Sequence, residues 1–456
     1  MLKRKFYGQL LSWKHTQQTK HGRKALLVMG ARQVGKSYLI RHFAQKEYKA
    51  YLEINLAQNK LALKSLSSAT NVKDFISRVT LLSHRQLVPG KSLIFIDEIQ
   101  ENPDLITMAK FLVEDGRFDW AFSGSMLGTQ FKGIRSFPVG YVSEHTMHPL
   151  DFEEFLWALN ISQNVIEEIR NAFSVAQPVA DYIHEAMLTN YRIYICTGGM
   201  PEVINTYLDH PGDFGFVREL QAALNEQYRF DIAKYAGGRS LMVQEVFDQL
   251  PLQLREDKKH FVVKELGNNS RYATYAKDIA WLTNAGVALK TEAVTEPKYP
   301  LLRTHRPSLF KLYQSDTGML LERFPRALMH DIYADAKSPN TGVIYENALA
   351  QALSSLDQKL YFYNVRKQGE VDFLVEDDRG GVIPLEVKSG AYYKSHAALD
   401  KLLSQKTRDF KQAFVFCKSN VMKAGILTYV PFYMCMCLPQ LLHANEDDLH
   451  MKPVII

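Results

Sequence analysis

Apolar runs of four to six residues alternate with amphipathic stretches over the first 150 residues of the chain. ALLVM at residues 25–29, LIFI at 93–96 and the start of DWAFSGSMLG at 119–128 are typical of buried strands. The segments between them have helical spacing. Strands that alternate with helices predict right-handed crossovers and a parallel sheet, so an α/β domain is expected over residues 1–150.

The middle of the chain changes to helical periodicity. From Asp151 the pattern predicts a helical region over residues 151–240, with Pro201 in a first helical turn after a Gly-Gly turn. Over 241–335 we expect helices, one of them capped by Asn269 or Ser270, followed by two strands joined by a proline-rich segment. That order is typical of a winged helix.

A winged helix would give the middle region one of two functions. One is DNA binding, with a helix in the major groove and the ribbon on the backbone. The basic residues available for this contact are Arg271, Lys277, Arg303 and Arg306. The other is a purely structural connector, since acidic residues dilute the charge.

The last part of the chain, residues 336–456, predicts a second α/β unit. EVDFLVED and GVIPLEVKSG, from 370 and 381, read as two strands joined by a turn. Because alternate residues of a strand share a face, pairing of the two strands would bring Asp372, Glu386 and Lys388 together. A hairpin with one solvated polar face explains the same alternation without any chemistry.

Composition limits the class of protein. A chain of 456 residues predicts two or three domains. The 4 cysteines have no CxxC spacing, so we expect buried thiols in a reducing compartment, the cytoplasm. The most apolar stretch, GILTYVPFYMCMCLPQLL, predicts two short buried strands instead of a membrane span, because Pro431 and Pro439 interrupt it. The basic first 50 residues suit a phosphate-rich partner or, equally, a solvated helix beside a nucleotide site.

The strongest motif is a glycine-rich loop between the first strand and a helix. It reads G-A-R-Q-V-G-K-S, and the candidate nucleotide-binding residues are Gly30, Ala31, Arg32, Gln33, Val34, Gly35, Lys36, Ser37 and Tyr38. The glycines allow a backbone path that points N–H groups at phosphate, and the helix N-terminus adds partial positive charge. Lys36 is expected on the β- and γ-phosphates of ATP, and the Ser37 hydroxyl on Mg²⁺.

A second element supports nucleotide chemistry. A buried strand that ends in Asp97-Glu98 is what a Walker B site needs. Asp97 would hold Mg²⁺ through water and Glu98 would polarise the attacking water. Ser123 and Ser125, at the end of the third strand, are candidates for contact with the γ-phosphate, although Ser-Gly is also ordinary turn chemistry.

Together, GARQVGKS, LIFIDEIQENPD, FSGSMLG and HPLDFEEFL resemble the AAA-type P-loop ATPases of bacteria and archaea that carry a C-terminal domain of unknown function of the DUF4143 type. The resemblance implies a sensor role for Ser125 and a lid signature in TGGMPE. Family members often have a basic residue where this chain has Tyr141, and the nearest upstream arginine is Arg135. This departure predicts slow ATP turnover without affecting binding.

The spacing D-x13-E-x-K resembles the core of the PD-(D/E)xK nucleases, whose fold is that of restriction endonucleases. The resemblance implies a second metal site made by Asp372 and Glu386, with Lys388 beside it and Glu346 as the upstream acid on the preceding helix. Two carboxylates offer the oxygen ligands that Mg²⁺ prefers, and a nearby lysine can stabilise the attacking water.

The expected architecture is therefore a P-loop AAA-type domain, a helical lid with a winged-helix connector, and a nuclease-like α/β domain. The expected function is Mg²⁺-dependent ATP hydrolysis coupled to an action on DNA. The alternative is a nucleotide-dependent switch whose back domain is a catalytically silent interaction scaffold. No membrane partner is expected, and the oligomeric state stays open.

Overall fold

A computed structural model gives the structure of the chain for residues 2–19, 22–83, 86–125, 138–254, 260–267, 270–405 and 410–443. Arg135 and Asn269, for which the sequence suggested roles, lie outside these residues. The chain divides into two compact units. One contains residues 1–148 together with 284–286, and the other contains 149–283 and 287–456.

The first unit is built on a parallel sheet. Its strands are β1 (Ala25–Gly30), β2 (Ala50–Asn55), β3 (Ser92–Asp97), β4 (Asp119–Ser125) and β5 (Val142–Thr146). Its helices are α1 (Phe6–Thr16), α2 (Lys36–Glu47), α3 (Lys60–Ser67), α4 (Val72–Leu82) and α5 (Ala109–Asp115). Within the described residues the strand order is β2-β3-β4-β1-β5, with every pair parallel, which confirms the predicted parallel sheet.

This order places the candidate nucleotide residues at one edge of the sheet. Gly30 and Ser125 are register partners where β1 and β4 end, and β3 ends at Asp97 on the other side of β4. The carboxyl ends of parallel strands meet at the same edge, where open α/β sheets hold their ligands. The buried strand residues, such as Ile94 and Phe122, form the core that fixes this edge.

The second unit begins with helices and ends with a mixed sheet. Its helices are α6 (Phe152–Ala158), α7 (Gln163–Ser174), α8 (Asp181–Thr197), α9 (Pro201–Asp209), α10 (Phe214–Tyr235), α11 (Ser240–Gln253), α12 (Tyr272–Asn284), α13 (Thr317–Glu322), α14 (Arg326–Tyr333), α15 (Thr341–Ser354), α16 (Ala397–Leu403) and α17 (Leu438–Leu442). Its strands are β6 (Ala288–Val294), β7 (His305–Gln314), β8 (Leu360–Val365), β9 (Gly369–Glu376), β10 (Val382–Val387), β11 (Ala413–Cys417), β12 (Met422–Ala424) and β13 (Leu427–Pro431).

One sheet runs through most of the second unit. In the described part of the chain it has the order β12-β13-β11-β10-β9-β8-β6-β7. The β6–β7 ribbon, predicted as a wing, pairs through β6 in parallel with β8. The winged helix therefore stays unconfirmed, because the ribbon continues into the sheet that also carries β9 and β10, and the sheet crosses the boundary expected at residue 335. The four basic residues suggested for DNA contact are all exposed.

The apolar stretch near the C-terminus differs from its prediction. It forms the buried strand β13, then a 3-10 turn over Phe432–Cys437, then α17. The second predicted strand was wrong because Pro439 sits in the first turn of a helix, where its missing N–H costs nothing. Among the described residues, no helix has both the length and the apolar character required to cross a membrane.

Two motifs that carry the family resemblance, HPLDFEEFL and the lid signature TGGMPE, have structural roles within the second unit. Asp151 and Glu154 form a reciprocal capping box at the start of α6. At the end of α8, Gly199 accepts a hydrogen bond from Leu150 N at 2.7 Å and donates one to Asp316 Oδ2 at 2.6 Å. A Cβ added at Gly199 would lie 2.1 Å from the carbonyl oxygen of Leu150, so glycine is required by close backbone approach.

We expect Gly199→Ala to lower the free energy of unfolding of the protein by about 1–3 kcal/mol, because the backbone at Leu150 must move to admit the methyl group. Urea denaturation followed by circular dichroism measures the change. Gly238→Ala is the matched control, since an added Cβ there meets no atom within 4 Å. Equal denaturation midpoints for the two variants would contradict this account.

Candidate nucleotide and carboxylate–lysine sites

The glycine-rich loop of the first unit has the backbone geometry of a phosphate cradle. Gly35, at the start of α2, is left-handed at φ 95°, and Gln33 has φ 63°. The Lys36 side chain turns back onto the loop and donates to the carbonyl oxygens of Gly30 at 3.0 Å and Ala31 at 2.7 Å. The loop thus holds an ammonium group ready for a phosphate at the N-terminus of α2.

Lys36 is buried, and this changes its chemistry. Burial lowers the pKa of the ammonium to about 8, although the negative charges of Glu98 and Asp97 act in the opposite direction and Arg32 adds to the lowering. The acidic pair at the end of β3 therefore lies close enough to the loop to act on the charge of Lys36. Of the other predicted loop residues, Ala31 and Val34 are buried, Ser37 is half-buried and Tyr38 is exposed.

Arg4 supports the loop, which no sequence motif indicated. Its guanidinium is buried and donates to Val34 O at 2.9 Å and to His148 O at 2.6 Å. Beside it, a Cβ at Gly30 would lie 2.3 Å from the carbonyl oxygen of Met147. Part of the basic N-terminus therefore serves the fold. Two other basic residues among the first 50 also form ion pairs, Lys14 with Glu47 and Arg41 with Glu53.

Asp97 is almost fully buried at 4% exposure, and both of its carboxylate oxygens are oriented. Asn55 Nδ2 donates to Oδ2 at 3.0 Å, and Ser123 Oγ donates to Oδ1. Sequence reasoning gave Ser123 a role beside phosphate, whereas here it fixes the aspartate. A carboxylate has about four lone-pair sites, so Asp97 retains acceptor capacity for metal-bound water.

Glu98 has a strained backbone, with φ 57° and ψ 48°. A residue with a side chain rarely adopts this left-handed conformation, and such strain is concentrated at functional sites. Gln100 holds the arrangement together: its Nε2 donates to Glu98, and its Oε1 accepts from Ser125 N at 3.3 Å. Gln100 is a positioning residue that sequence reasoning missed, although it lies in the same motif.

Ser125 and Tyr141 have different surroundings. Ser125 Oγ is buried and, within the described part of the chain, has no hydrogen-bond partner. The hydroxyl is thus available to a ligand at this edge. Tyr141, which stands where the resemblance implies a basic residue, donates to Glu114 Oε1 at 2.9 Å, and Lys110 Nζ lies 5.5 Å from its ring centroid.

The second unit contains a cavity of about 680 Å³ beside β7, β9 and β10. The charged and polar residues in its wall are Gln253, His260, Lys311, Glu346, Glu370, Asp372, Glu386, Lys388, Ser389, Ser395 and His396. All of the predicted back-site residues are among them. The strand pairing that sequence reasoning required is present: β9 and β10 are antiparallel, with Phe373 opposite Leu385, so Asp372 and Glu386 are adjacent.

Asp372, Glu386 and Lys388 form a connected group at one end of this cavity. Asp372 Oδ2 accepts from Val387 N at 2.8 Å, and Lys388 Nζ lies 2.7 Å from Glu386 Oε1. Burial raises the pKa of Asp372 well above its ordinary value, and the charges of Glu386 and Glu346 act in the same direction. Burial likewise raises the pKa of Glu386, against the opposing effect of Lys388.

Glu346 lines the cavity from α15 as the resemblance implied, but its Oε1 is already engaged. Lys311 Nζ lies 2.6 Å from Glu346 Oε1 and 2.8 Å from Glu370 Oε1, and Tyr313 OH also donates to Glu346. Sequence reasoning missed Lys311 and Tyr313 as members of this site. The only signal in the sequence is that these two residues are two positions apart in SLFKLYQ. The sequence pattern assigns this strand to the winged-helix connector.

The arrangement bears on the predicted metal site. In the ranges that the structure describes, no group of three or more His, Cys, Asp or Glu side chains is placed so that it could hold a metal ion. Glu346 faces the ammonium of Lys311 instead of completing a three-carboxylate site. Asp372 and Glu386 retain acceptor capacity, and within the described part of the chain Glu386 Oε2 is buried without a hydrogen-bond partner.

Comparison with known proteins divides the chain into three matched regions. Residues 22–156 match a family model described as an AAA domain. Residues 188–325 match a domain of unknown function, DUF8612, and residues 341–433 match another, DUF4143. No curated protein matches the chain.

Three of the solved structures that match the chain are the following. The Walker-type ATPase PABY2304 of Pyrococcus abyssi is 13% identical with a TM-score of 0.44, over 71% of this chain and 96% of that one. The Orc1 protein of Aeropyrum pernix in complex with DNA is 9% identical with a TM-score of 0.28, over 73% and 93%. AMPPCP-bound DnaA of Aquifex aeolicus is 11% identical with a TM-score of 0.26, over 63% and 78%.

These three TM-scores are below 0.5, so the structures do not indicate the function of this chain. The AAA-domain match agrees with the geometry of the first unit. That unit has a left-handed loop at Gly35, a buried Lys36 and an acidic pair at the end of β3. Residues 22–156 are therefore a P-loop domain of the AAA type.

Proposed function

We propose that this protein binds and hydrolyses ATP at the loop of its first unit. The observation that carries the proposal is Lys36, a buried ammonium group held on the carbonyl oxygens of Gly30 and Ala31 at the start of α2. A triphosphate offers this ammonium a charged partner and offers the backbone N–H groups of the loop acceptors. Ser125 Oγ, which has no hydrogen-bond partner among the described residues, supports a ligand at the same edge.

The residues of this site fit Mg²⁺. Ser37 supplies a hydroxyl at the first turn of α2, and Asp97, oriented by Asn55 and Ser123, supplies a carboxylate. When bound, the ion would neutralise charge on the β- and γ-phosphates. Lys36 would stabilise the same charge, and Glu98, positioned by Gln100, would accept the proton of the attacking water.

For the second unit we propose a nuclease-like site that acts on DNA. Asp372, which is half-buried, and Glu386, which is buried, are adjacent carboxylates with raised pKa values and a lysine on one of them, which supports binding of a divalent cation. Hydrolysis of a phosphodiester needs an attacking water activated near such a centre. ATP turnover in the first unit would control this activity.

A second candidate function of this unit is an interaction scaffold, in which the cavity has no catalytic activity. The ion pairs of Lys311 with Glu346 and Glu370 favour it, because they occupy two of the four carboxylates. The two candidates differ in one measurable property, the cleavage of DNA.

The test is nicking of supercoiled plasmid by the full chain with Mg²⁺ or Mn²⁺, with and without ATP. We expect wild type to nick DNA and Asp372→Asn to lose at least about 100-fold of that rate, because the carboxylate is replaced by an amide that cannot supply the charge. Lys36→Ala tests whether nicking depends on ATP.

Glu185→Gln, which removes an exposed carboxylate on α8, is the matched control and should nick like wild type. Absence of nicking by wild type under every combination of metal and nucleotide would reject the nuclease and leave the scaffold. Nicking retained in Asp372→Asn would show a contaminating or different activity.

A further inference from the structure

The first unit contains a cavity of about 350 Å³ whose wall is rich in positive charge. Its basic residues are Lys14, Arg23, Lys49 and Lys91. The first three belong to the basic first 50 residues of the chain, for which the sequence left a phosphate-rich partner and a solvated helix as alternatives. The cavity gives the first alternative a place in the fold.

This cavity lies at the edge of the sheet opposite to the glycine-rich loop. Lys49 and Lys91 immediately precede β2 and β3, and Asp119 begins β4, whereas the loop follows the carboxyl end of β1. Because β3 has 6 residues and a strand rises about 3.3 Å per residue, the two edges are about 20 Å apart. The cavity is therefore separate from the proposed ATP site.

Lys49 and Lys91 are neighbours without a counter-charge. Lys49 N donates to Lys91 O at 3.0 Å, and the residues that follow them, Ala50 and Ser92, are register partners in the parallel pair of β2 and β3. Both lysines are exposed, and among the described residues neither side chain has an ion pair. Neighbouring strands are about 4.8 Å apart, so the two ammonium groups repel each other and an anion between them would remove the repulsion.

Arg23 supplies a third cation, whose position is fixed. Its Nε donates to Gln17 O at 3.1 Å and its Nη1 to Gly116 O at 2.7 Å. These carbonyl oxygens orient the guanidinium and leave its positive charge in place. Lys14 differs, because its Nζ lies 3.0 Å from Glu47 Oε2 and is thus paired within the fold.

Asp119 is the acidic group in the wall that opposes an anion. Its Oδ2 accepts a hydrogen bond from Tyr48 OH at 2.8 Å. Burial raises the pKa of Asp119, although the hydrogen bond from Tyr48 and the charges of Arg23 and Lys14 act in the opposite direction. Even with Asp119 ionised, the four basic and two acidic side chains of the wall leave an excess of two positive charges.

We propose that this cavity binds the phosphate chain of a compact anion, at a site separate from the loop of the first unit. Lys49, Lys91 and Arg23 would donate charge-assisted hydrogen bonds to phosphate oxygens. Cations that converge on a cavity of this size fit a small ligand, whereas nucleic acid is usually met by a basic stripe along a face or a helix. The chemistry is that of a diphosphate, either free as pyrophosphate or carried by a nucleoside diphosphate.

The experiment is calorimetric titration of the full chain carrying Lys36→Ala, which weakens the loop, with pyrophosphate in one series and ADP in another. We expect one pyrophosphate per chain. Adding Lys49→Ala and Lys91→Ala should weaken its affinity by about 100-fold, because two charge-assisted hydrogen bonds are lost. Adding Lys64→Ala and Lys73→Ala, which remove two exposed lysines of α3 and α4, is the matched control and should change the affinity by less than about threefold.

The two series identify the source of the phosphate chain. Tighter binding of ADP than of pyrophosphate, with the same loss in the chain that lacks Lys49 and Lys91, would support a nucleotide, and the reverse order would support free pyrophosphate. Equal losses in the two double variants would overturn the site, since the effect would then be a general one of net charge. Failure of the reference chain to bind millimolar pyrophosphate would overturn it as well.

Two further measurements separate this site from other functions. A single-stranded oligonucleotide that binds more tightly than pyrophosphate, and loses that binding in the same double variant, would overturn the compact ligand in favour of nucleic acid. With Lys36 intact, Lys49→Ala and Lys91→Ala together should leave ATP affinity unchanged. Loss of ATP affinity in that chain would overturn the separate site and leave the proposed ATP binding standing.

Discussion

ATP affinity is expected to fall by about 100-fold in Lys36→Ala, and hydrolysis with it. Loss of one or two charge-assisted hydrogen bonds to phosphate, each contributing about 1.5–3 kcal/mol, accounts for this factor. Binding of a fluorescent ATP analogue measures the affinity, and release of inorganic phosphate measures the hydrolysis. The folded structure tolerates the change, because Lys36 donates only to carbonyl oxygens of its own loop in the described contacts.

The companion variant Glu98→Gln separates binding from chemistry. We expect ATP affinity to stay within about threefold of wild type while the hydrolysis rate falls by about 10²–10⁴, the usual contribution of a positioned general base. The amide keeps the size of the side chain and can still accept from Gln100. A variant with lower affinity and unchanged maximal rate would assign Glu98 to binding instead.

Lys46→Ala is the matched control for Lys36→Ala. Lys46 is an exposed lysine in the last turn of the same helix, α2, and should bind and hydrolyse ATP like wild type. Equal loss of affinity in both variants would indicate a general electrostatic effect of the basic N-terminus. Full binding by Lys36→Ala would contradict the assignment of the loop to phosphate.

Lys311→Met is expected to lower the free energy of unfolding of the second unit by about 3–5 kcal/mol, because it leaves buried carboxylates without their counter-charge. Although burial acts to lower the pKa of Lys311, the charges of Glu346, Glu370 and Asp372 outweigh it and raise that pKa well above the ordinary value. The surrounding carboxylates thus favour the ammonium form. Chemical denaturation measures the loss.

Two variants test the explanation. Lys418→Met breaks an ion pair with Asp335 at the surface of the same unit, where the side chains are 33% and 42% exposed, and should cost only about 0–1 kcal/mol. Adding Glu346→Gln and Glu370→Gln to Lys311→Met should restore much of the stability, since the two carboxylates that Lys311 contacts are then replaced by neutral amides. An unchanged loss in the triple variant would assign the effect of Lys311 to its packing alone.

The local sequence pattern was sufficient to predict an element and its functional residues wherever these lie close together in sequence. The strand, glycine loop and helix around Lys36 all lie between Ala25 and Glu47, and the structure reproduces them as β1, a left-handed turn and α2. The alternation in β9 and β10 likewise placed Asp372 and Glu386 side by side, because strand residues two apart share a face whatever surrounds them.

Long-range pairing could not be read in the same way. The β6–β7 ribbon looked like a wing because its local pattern is a hairpin, and only the parallel pairing of β6 with β8 places Lys311 beside the carboxylates of β9. Arg4 supports a loop thirty residues away, and the capping box at Asp151 gives a structural role to the motif HPLDFEEFL, which carries part of the family resemblance. None of these contacts leaves a periodic signal.

The sequence by itself determined the presence of the P-loop, its acidic partner and the paired carboxylates, since spacing within a strand or a turn dictates which side chains share a face. Only the tertiary structure decided which of these groups already have a hydrogen-bond or ion-pair partner. The orientation of Asp97 by Asn55 and Ser123, and the occupation of Glu346 by Lys311, arise from strands that meet only in the folded sheets. The reason is physical: the ionic state of a buried group depends on neighbours in space, and sequence distance does not record them.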